Sequence, residues 1–211
     1  LSSLEKITNV FFNQKRKIIK KPMSKLFKNP DLVARKIGIK LSIRPENINE
    51  SQINSKDYKF IICYRYKHIL SKKIVSKFKK KIINCHPSFL PWNRGSFPNF
   101  WSFFYDTPKG VTIHYVNEHI DTGEIILQKE VNLKITNNTT LKNTYKILDK
   151  NLEDLLITNL DKILKKKIKC INQDLTGTFY SKSDLEEFKK FLKNGWNTKV
   201  KSIENRGYEF F

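Results

Sequence analysis

The sequence predicts an α/β fold built on a mostly parallel sheet covered by helices, and three observations carry that prediction. Residues 58–64 (YKFIICY) are continuously apolar, the pattern of a strand buried on both faces. Strand-length apolar stretches alternate with helical patterns through the first two thirds of the chain, which is the rhythm of βα units. A long helical stripe then follows, with Leu141, Tyr145, Leu148, Leu152, Leu155, Leu156, Leu160, Ile163 and Leu164 recurring at three- and four-residue steps as a core-packing face.

The elements follow in order. Ser2 and Glu5 are spaced as a capping box, predicting a short helix that leads into a strand at 9–12. After a basic loop at 13–22, Asn29-Pro30-Asp31 reads as N-cap, N1 proline and first-turn acid of a helix that ends at Gly38. A strand at 39–43 is closed by Pro45. The runs 58–64 and 82–84 are expected to be parallel neighbours in one sheet, joined by a helix that Ser71 caps and that reaches Phe78. Further strands are expected at 111–116 and 124–131, joined by 117–123, and Thr139 and Thr140 open the long helix. Beyond Ile168 the pattern changes to a polar stretch at 173–181, a short helix near 183–193 and an irregular tail from Gly195. The expected organisation is therefore a domain over 1–170 and a C-terminal extension over 171–211.

With 211 residues, the chain is long enough for one domain with a proper core, or one domain and a small appendage. Charge is the outlier: 41 Lys and Arg against 20 Asp and Glu give +21, yet only six of the cations are arginines. Nucleic-acid recognition leans on the arginine fork, so this skew argues for a solvated lysine surface over a polyanion groove and leaves an anionic small substrate compatible. No apolar run approaches the roughly 18 residues of a membrane span, and no leader pattern is visible from Leu1. Cys63, Cys85 and Cys170 are far apart and form no CxxC, so neither a disulfide framework nor a metal site is expected, and a reducing cytoplasm is the default compartment.

The unusual residue types concentrate between 82 and 129. Asn84 and His86 stand two apart at the C-terminal end of a predicted strand, so both point to one face. That end is where ligands bind in open α/β sheets. Pro87 removes a backbone donor and breaks the ladder there, and Asp121 sits in a turn before Thr122-Gly123. Taken singly, His86 reads as a structural histidine and Asp121 as a turn former. Together, an amide, an imidazole and a carboxylate make a proton-transfer site, with the imidazole as general base and the amide as donor to a developing oxyanion.

The surrounding motifs are Asn84-Cys85-His86-Pro87-Ser88-Phe89-Leu90-Pro91, then Arg94-Gly95, Gly110-Val111-Thr112 and Asp121-Thr122-Gly123. In this order and spacing they resemble the formyltransferases that use N10-formyltetrahydrofolate, more weakly over the whole of 1–168. The resemblance implies a Rossmann-like formyltransferase fold and formyl transfer from that folate. It implies Asn84 as oxyanion-stabilising amide, His86 as catalytic histidine and Asp121 as its supporting carboxylate. Lys67, His68 and Leu70 match a loop that holds the folate largely by backbone groups, and Val116, Asn117 and Ile120 match the second wall of that pocket. His68 itself reads as a loop residue, and His114 and His119 as surface or packing residues.

Three features are similar to the branch that formylates amino sugars on nucleotide carriers: the run Leu90-Pro91-Trp92-Asn93-Arg94-Gly95 with Pro98-Asn99-Phe100-Trp101, the roughly 40 residues after the long helix in place of a further domain, and the tail Gly177-Thr178-Phe179-Tyr180 with Gly195-Trp196-Asn197-Thr198. That similarity implies a nucleotide-sugar substrate, with Asn93 and Arg94 lining its crevice, while Arg94 reads equally well as a loop-ordering ion-pair partner. The sugar enzymes are commonly dimers and Phe210-Phe211 would be awkward left exposed, so a homodimer is compatible with the sequence, which does not itself settle the oligomer. Two departures stand: the family's first strand is expected to be missing ahead of Leu1, leaving a gap in the sheet and the acceptor pocket, and the tail lacks a histidine near Tyr180 and a proline after Thr198. The alternatives are a methionyl-tRNA formyltransferase-like enzyme, a formyltetrahydrofolate hydrolase on the same fold, and a basic nucleic-acid-binding module, which explains the charge but not the register of Asn84, His86 and Asp121.

Overall fold

The computed structural model of the chain describes residues 5–11, 39–44, 48–53, 58, 60–174 and 176–210. In chain order its strands are β1 (Glu5–Phe11), β2 (Ile39–Arg44), β3 (Phe60–Tyr64), β4 (Ile82–His86), β5 (Arg94–Gly95), β6 (Gly110–Tyr115), β7 (Ile125–Glu130) and β8 (Phe179–Tyr180). Its helices are α1 (Lys72–Lys77), α2 (Pro98–Phe104), α3 (Leu141–Leu164) and α4 (Asp184–Phe188), and short 3₁₀ turns complete the tail. The helix expected at 29–38, the basic loop before it and Phe211 lie outside the described residues.

Six strands form one sheet in the order β2-β1-β3-β4-β6-β7. The expected pairing of the 58–64 and 82–84 runs is present, since β3 and β4 are parallel neighbours with Ile61 opposite Ile82, and α1 lies between them in sequence. Ser71 caps α1, accepting a hydrogen bond from Ile74 N. The sheet is mixed where a mostly parallel one was expected: β1–β2, β1–β3 and β3–β4 are parallel, whereas β4–β6 and β6–β7 are antiparallel. A parallel pairing needs a covering crossover of a dozen or more residues. The nine residues between β6 and β7 are too few. The connection before β6 does contain α2, but that helix packs on the C-terminal extension.

At the start of the chain the structure departs from the predicted short helix. Glu5–Phe11 is a strand, in keeping with the β-forming Ile7, Thr8, Val10 and Phe11, which outweigh a capping box read from two residues. It pairs in parallel with β2 on one side and β3 on the other, so the described sheet is continuous where a gap was expected.

Period-two alternation sorts the sheet into two buried layers. Phe60, Ile62, Tyr64, Ile83, Cys85, Val111, Ile113 and Tyr115 pack against the stripe of α3, with Leu148, Leu152, Leu156, Leu160 and Ile163. Ile61, Cys63 and Ile82 face the other way, onto Ile74, Val75 and Phe78 of the α1 segment. α3 starts where predicted, at a reciprocal capping box between Thr140 and Asn143. A third cluster joins Phe100, Trp101, Phe103 and Phe104 of α2 to Leu185, Val200 and Ile203 of the extension. Tyr180 stacks on Trp101 at 4.2 Å between centroids, and β8 pairs with β5. The extension thus adheres to the loop that follows β4.

Candidate active site

Asn84 and His86 share a face of β4 with Ile82, opposite to Ile83 and Cys85, which point to α3. Antiparallel β6 sets His114 directly opposite Asn84 and Thr112 opposite His86. Asp121 arrives from the β6–β7 connection with a left-handed backbone, φ +53. Its Oδ1 accepts a hydrogen bond from Asn84 Nδ2 at 2.9 Å and its Oδ2 one from Gly95 N at 2.9 Å. His86 Nδ1 lies 3.5 Å from Oδ2, and His114 Nε2 lies 3.4 Å from Oδ1.

The other nitrogens fix the tautomers. His86 Nε2 sits 3.0 Å from Asn93 O and His114 Nδ1 sits 2.8 Å from Tyr115 O. A carbonyl only accepts, so each of these nitrogens carries the hydrogen. In the neutral rings the lone pairs are then on His86 Nδ1, facing Asp121, and on His114 Nε2, which accepts from Asn84 Nδ2 at 3.3 Å. Burial alone would raise the Asp121 carboxyl. When the rings are protonated, the charge of His86, the hydrogen bond and charge of His114 and the Gly95 N–H outweigh burial and hold it well below the usual carboxylate range. The cysteines at this end are not nucleophiles: burial and the Asp121 charge push the Cys63 thiol up to about 12, and burial raises Cys85 well above its ordinary value.

A cavity of about 540 Å³ opens over these groups. Its lining includes every residue that the sequence placed at the folate site: Lys67, His68 and Leu70 from the segment before α1, and Val116, Asn117, Ile120 and Asp121 from the β6–β7 connection, together with Asn84 and His86. Asn93 and Arg94 do not line it, contrary to the expectation of an acceptor crevice. Asn93 is fully buried and donates through Nδ2 to Thr107 Oγ1 at 2.7 Å, so its contribution to the site is its backbone carbonyl. Arg94 is buried too, and its guanidinium donates to Pro91 O at 3.2 Å and Asp174 O at 3.3 Å. These carbonyls hold Arg94 against the extension. Replacing Arg94 by lysine, which offers one nitrogen where the guanidinium reaches these carbonyls from two, is expected to cost about 2 kcal/mol, several degrees in Tm, and to change donor and acceptor KM by the same small factor. A selective rise in acceptor KM would instead place the guanidinium on substrate.

Sequence reasoning missed five contributors. His114 was expected at the surface or in packing, yet it is 1% exposed beside the carboxylate. Its alternation with Val111, Ile113 and Tyr115 was the available signal. Tyr145, assigned only to packing, also lines the cavity, as do Arg65 and its ion-pair partner Asp149. Gln173 donates from Nε2 to Asp121 O at 2.9 Å and Gly123 O at 2.7 Å. Nothing in its sequence neighbourhood signalled that contact.

Residues 5–160 match the family described as Formyl transferase. Among solved structures, the chain is similar to the formyltransferase PseJ from Anoxybacillus kamchatkensis, in complex with UDP-4,6-dideoxy-4-formamido-L-AltNAc and tetrahydrofolate, at 33% identity and a TM-score of 0.81 over 96% of this chain and 99% of that one. It is also similar to a sugar N-formyltransferase from Shewanella sp. at 26% identity and a TM-score of 0.71, over 87% and 79% of the two chains. A curated relative, the methionyl-tRNA formyltransferase of Clostridium acetobutylicum, is 32% identical over 168 residues, 79% of this chain and 52% of its own. The chain spans about half the length of the curated relatives it matches. Because the family match runs from β1 into α3 and takes in every strand and loop that frames the cavity floor, the chain belongs to the formyl transferase family.

Proposed function

We propose that this protein transfers a formyl group from N10-formyltetrahydrofolate to the amine of a nucleotide-linked amino sugar. The observation that carries the acceptor class is the likeness to PseJ over nearly the full length of both chains, that protein being in complex with a UDP-linked formamido sugar and tetrahydrofolate. The cavity fits the donor. About 540 Å³ is within the ordinary range for such ligands. Val75, Val116 and Leu152 offer apolar walls for a flat ring, and residues 66–70 lie outside helix and strand, so their backbone groups are not committed to a ladder.

Bound in this cavity, formyltetrahydrofolate supplies an activated one-carbon electrophile. The acceptor attacks as a neutral amine, because an ammonium has no lone pair. His86 takes the amine proton at Nδ1, since its Nε2 hydrogen is committed to Asn93 O, and the imidazolium so formed is stabilised by Asp121 Oδ2. Asn84 Nδ2 donates to the oxygen on which charge develops. Both of its hydrogens already have acceptors, Asp121 Oδ1 and His114 Nε2, so the one it turns to substrate is the longer, 3.3 Å bond to His114. Protonated His86 then returns its proton to the leaving nitrogen.

The curated relatives near 32% identity support a second reading, in which the acceptor amine is that of methionyl-tRNA. A panel of UDP- and dTDP-linked amino sugars and charged initiator tRNA, each incubated with formyltetrahydrofolate and read by mass, separates the two. The expected result is a gain of one formyl group on a nucleotide sugar and none on tRNA. Formate release without an acceptor product would assign a hydrolase instead.

A further inference from the structure

The catalytic groups are held by three pieces of backbone: Asn93 O, which accepts from His86; Gly95 N, which donates to Asp121; and the turn 121–123 that carries the carboxylate. Residues 173–180 of the extension, beyond the family match, bond to the turn itself and to the backbone of Asn93, Arg94 and Ser96, which brackets Gly95. Thr178 Oγ1 accepts from Asn93 N at 2.8 Å, Thr178 O from Arg94 N at 2.9 Å and Tyr180 O from Ser96 N at 2.8 Å. Gln173 takes the turn, its single amide nitrogen giving one hydrogen to each of two carbonyls.

That turn needs holding. Asp121 adopts a left-handed backbone unusual for a side-chain-bearing residue. Gly123 is pressed so closely on the end of β6 that a Cβ there would lie 1.8 Å from Tyr115 O. The other end of the Gln173 amide is informative as well: Oε1 is buried without a hydrogen-bond partner among the described residues, so the side chain serves through its donor end. We propose that Gln173 is a positioning residue, which clamps the 121–123 turn and so keeps the Asp121 carboxylate between Asn84, His86 and Gly95. The proposal rests on the formyl-transfer reading of the site only for its effect on turnover.

The test uses the full chain with Gln173→Met, near in shape but without donors, and Gln173→Ala. The groups facing Asp121 are His86 from β4, His114 from β6 and, more distantly, the Cys63 thiol from β3. A carboxylate that drifts from His86, His114 and Gly95 loses the contacts that hold it well below the usual carboxylate range. In Gln173→Met the Asp121 carboxyl titration, followed by carbon-13 NMR, should therefore move to higher pH. The kcat should fall by about ten- to a hundredfold, the cost of a small misplacement, with donor KM little changed. A carboxyl titration that superimposes on wild type, or an unchanged kcat, would overturn the proposal. If Gln173→Met does not fold, the same titration in Gln173→Ala decides. If the wild-type protein formylates no amine, the formyl-transfer reading fails, and the carboxyl titration alone decides the clamp.

Discussion

His86→Asn is expected to lower formyl transfer by about 10²–10⁴-fold, the worth of general-base help, while the donor still binds. The substitution removes both roles of one ring. The asparagine amide reaches only as far as the Nδ1 position, so the 3.0 Å bond from His86 Nε2 to Asn93 O is lost with the base. It offers no basic nitrogen to the acceptor amine and no cation to Asp121. Single-turnover formylation of the best nucleotide sugar, beside calorimetric titration with a stable folate analogue, measures both effects. Turnover near the wild-type level would remove His86 from the mechanism, whatever the binding result.

Asp121→Asn should be as severe, at least about a hundredfold in turnover. The carboxylate accepts on both oxygens, from Asn84 Nδ2 and from Gly95 N, each at 2.9 Å. An amide has only one oxygen, so its nitrogen must face a donor, and the mismatch should cost about 1–3 kcal/mol of stability besides the lost charge. The sign of the pH dependence follows from the depressed Asp121 carboxyl. Its contribution to stability is fully present above the unfolded value of about 3.9. It is withdrawn as pH falls towards the lower folded value, because only the unfolded chain then binds the extra proton. Urea melts between about pH 5 and pH 2 should consequently fall more steeply for wild type than for Asp121→Asn. Parallel slopes would mean that the carboxyl is not depressed. Since His86 and Asp121 act as one unit, the double variant should lose far less than the product of the two single losses.

Much of this site was legible in the sequence because it depends on local spacing. Asn84 and His86 are two apart on a strand whose alternate residues are apolar, so their common face and the end of the sheet they occupy follow from the period alone. Asp121 and the cavity walls at 67–70 and 116–120 came from motifs in register. Legibility stopped where long-range pairing begins. His114 becomes a neighbour of Asn84 only because β6 runs antiparallel beside β4, a register the pattern of β6 itself does not specify. Arg94 looked like a substrate fork because its partners are backbone carbonyls, one of them in the extension, and carbonyls have no side-chain signature. The opening strand was misread for a different reason: a two-residue cap motif is a weaker signal than β propensity summed over seven residues.

The pairing of β5 with β8, and the Tyr180 ring lying on Trp101, also set when the protein becomes an enzyme during its synthesis. Parallel strands 85 residues apart in sequence, Arg94 and Phe179, close late, after most local contacts have formed. A nascent chain that has emerged only as far as α3 already carries the imidazoles and the carboxylate, but the loop and turn that frame them have no extension to bond to. Catalytic competence should therefore appear as a late step in folding, when the extension zips onto the loop that follows β4, and a protease cut after α3 should abolish turnover before it melts the core.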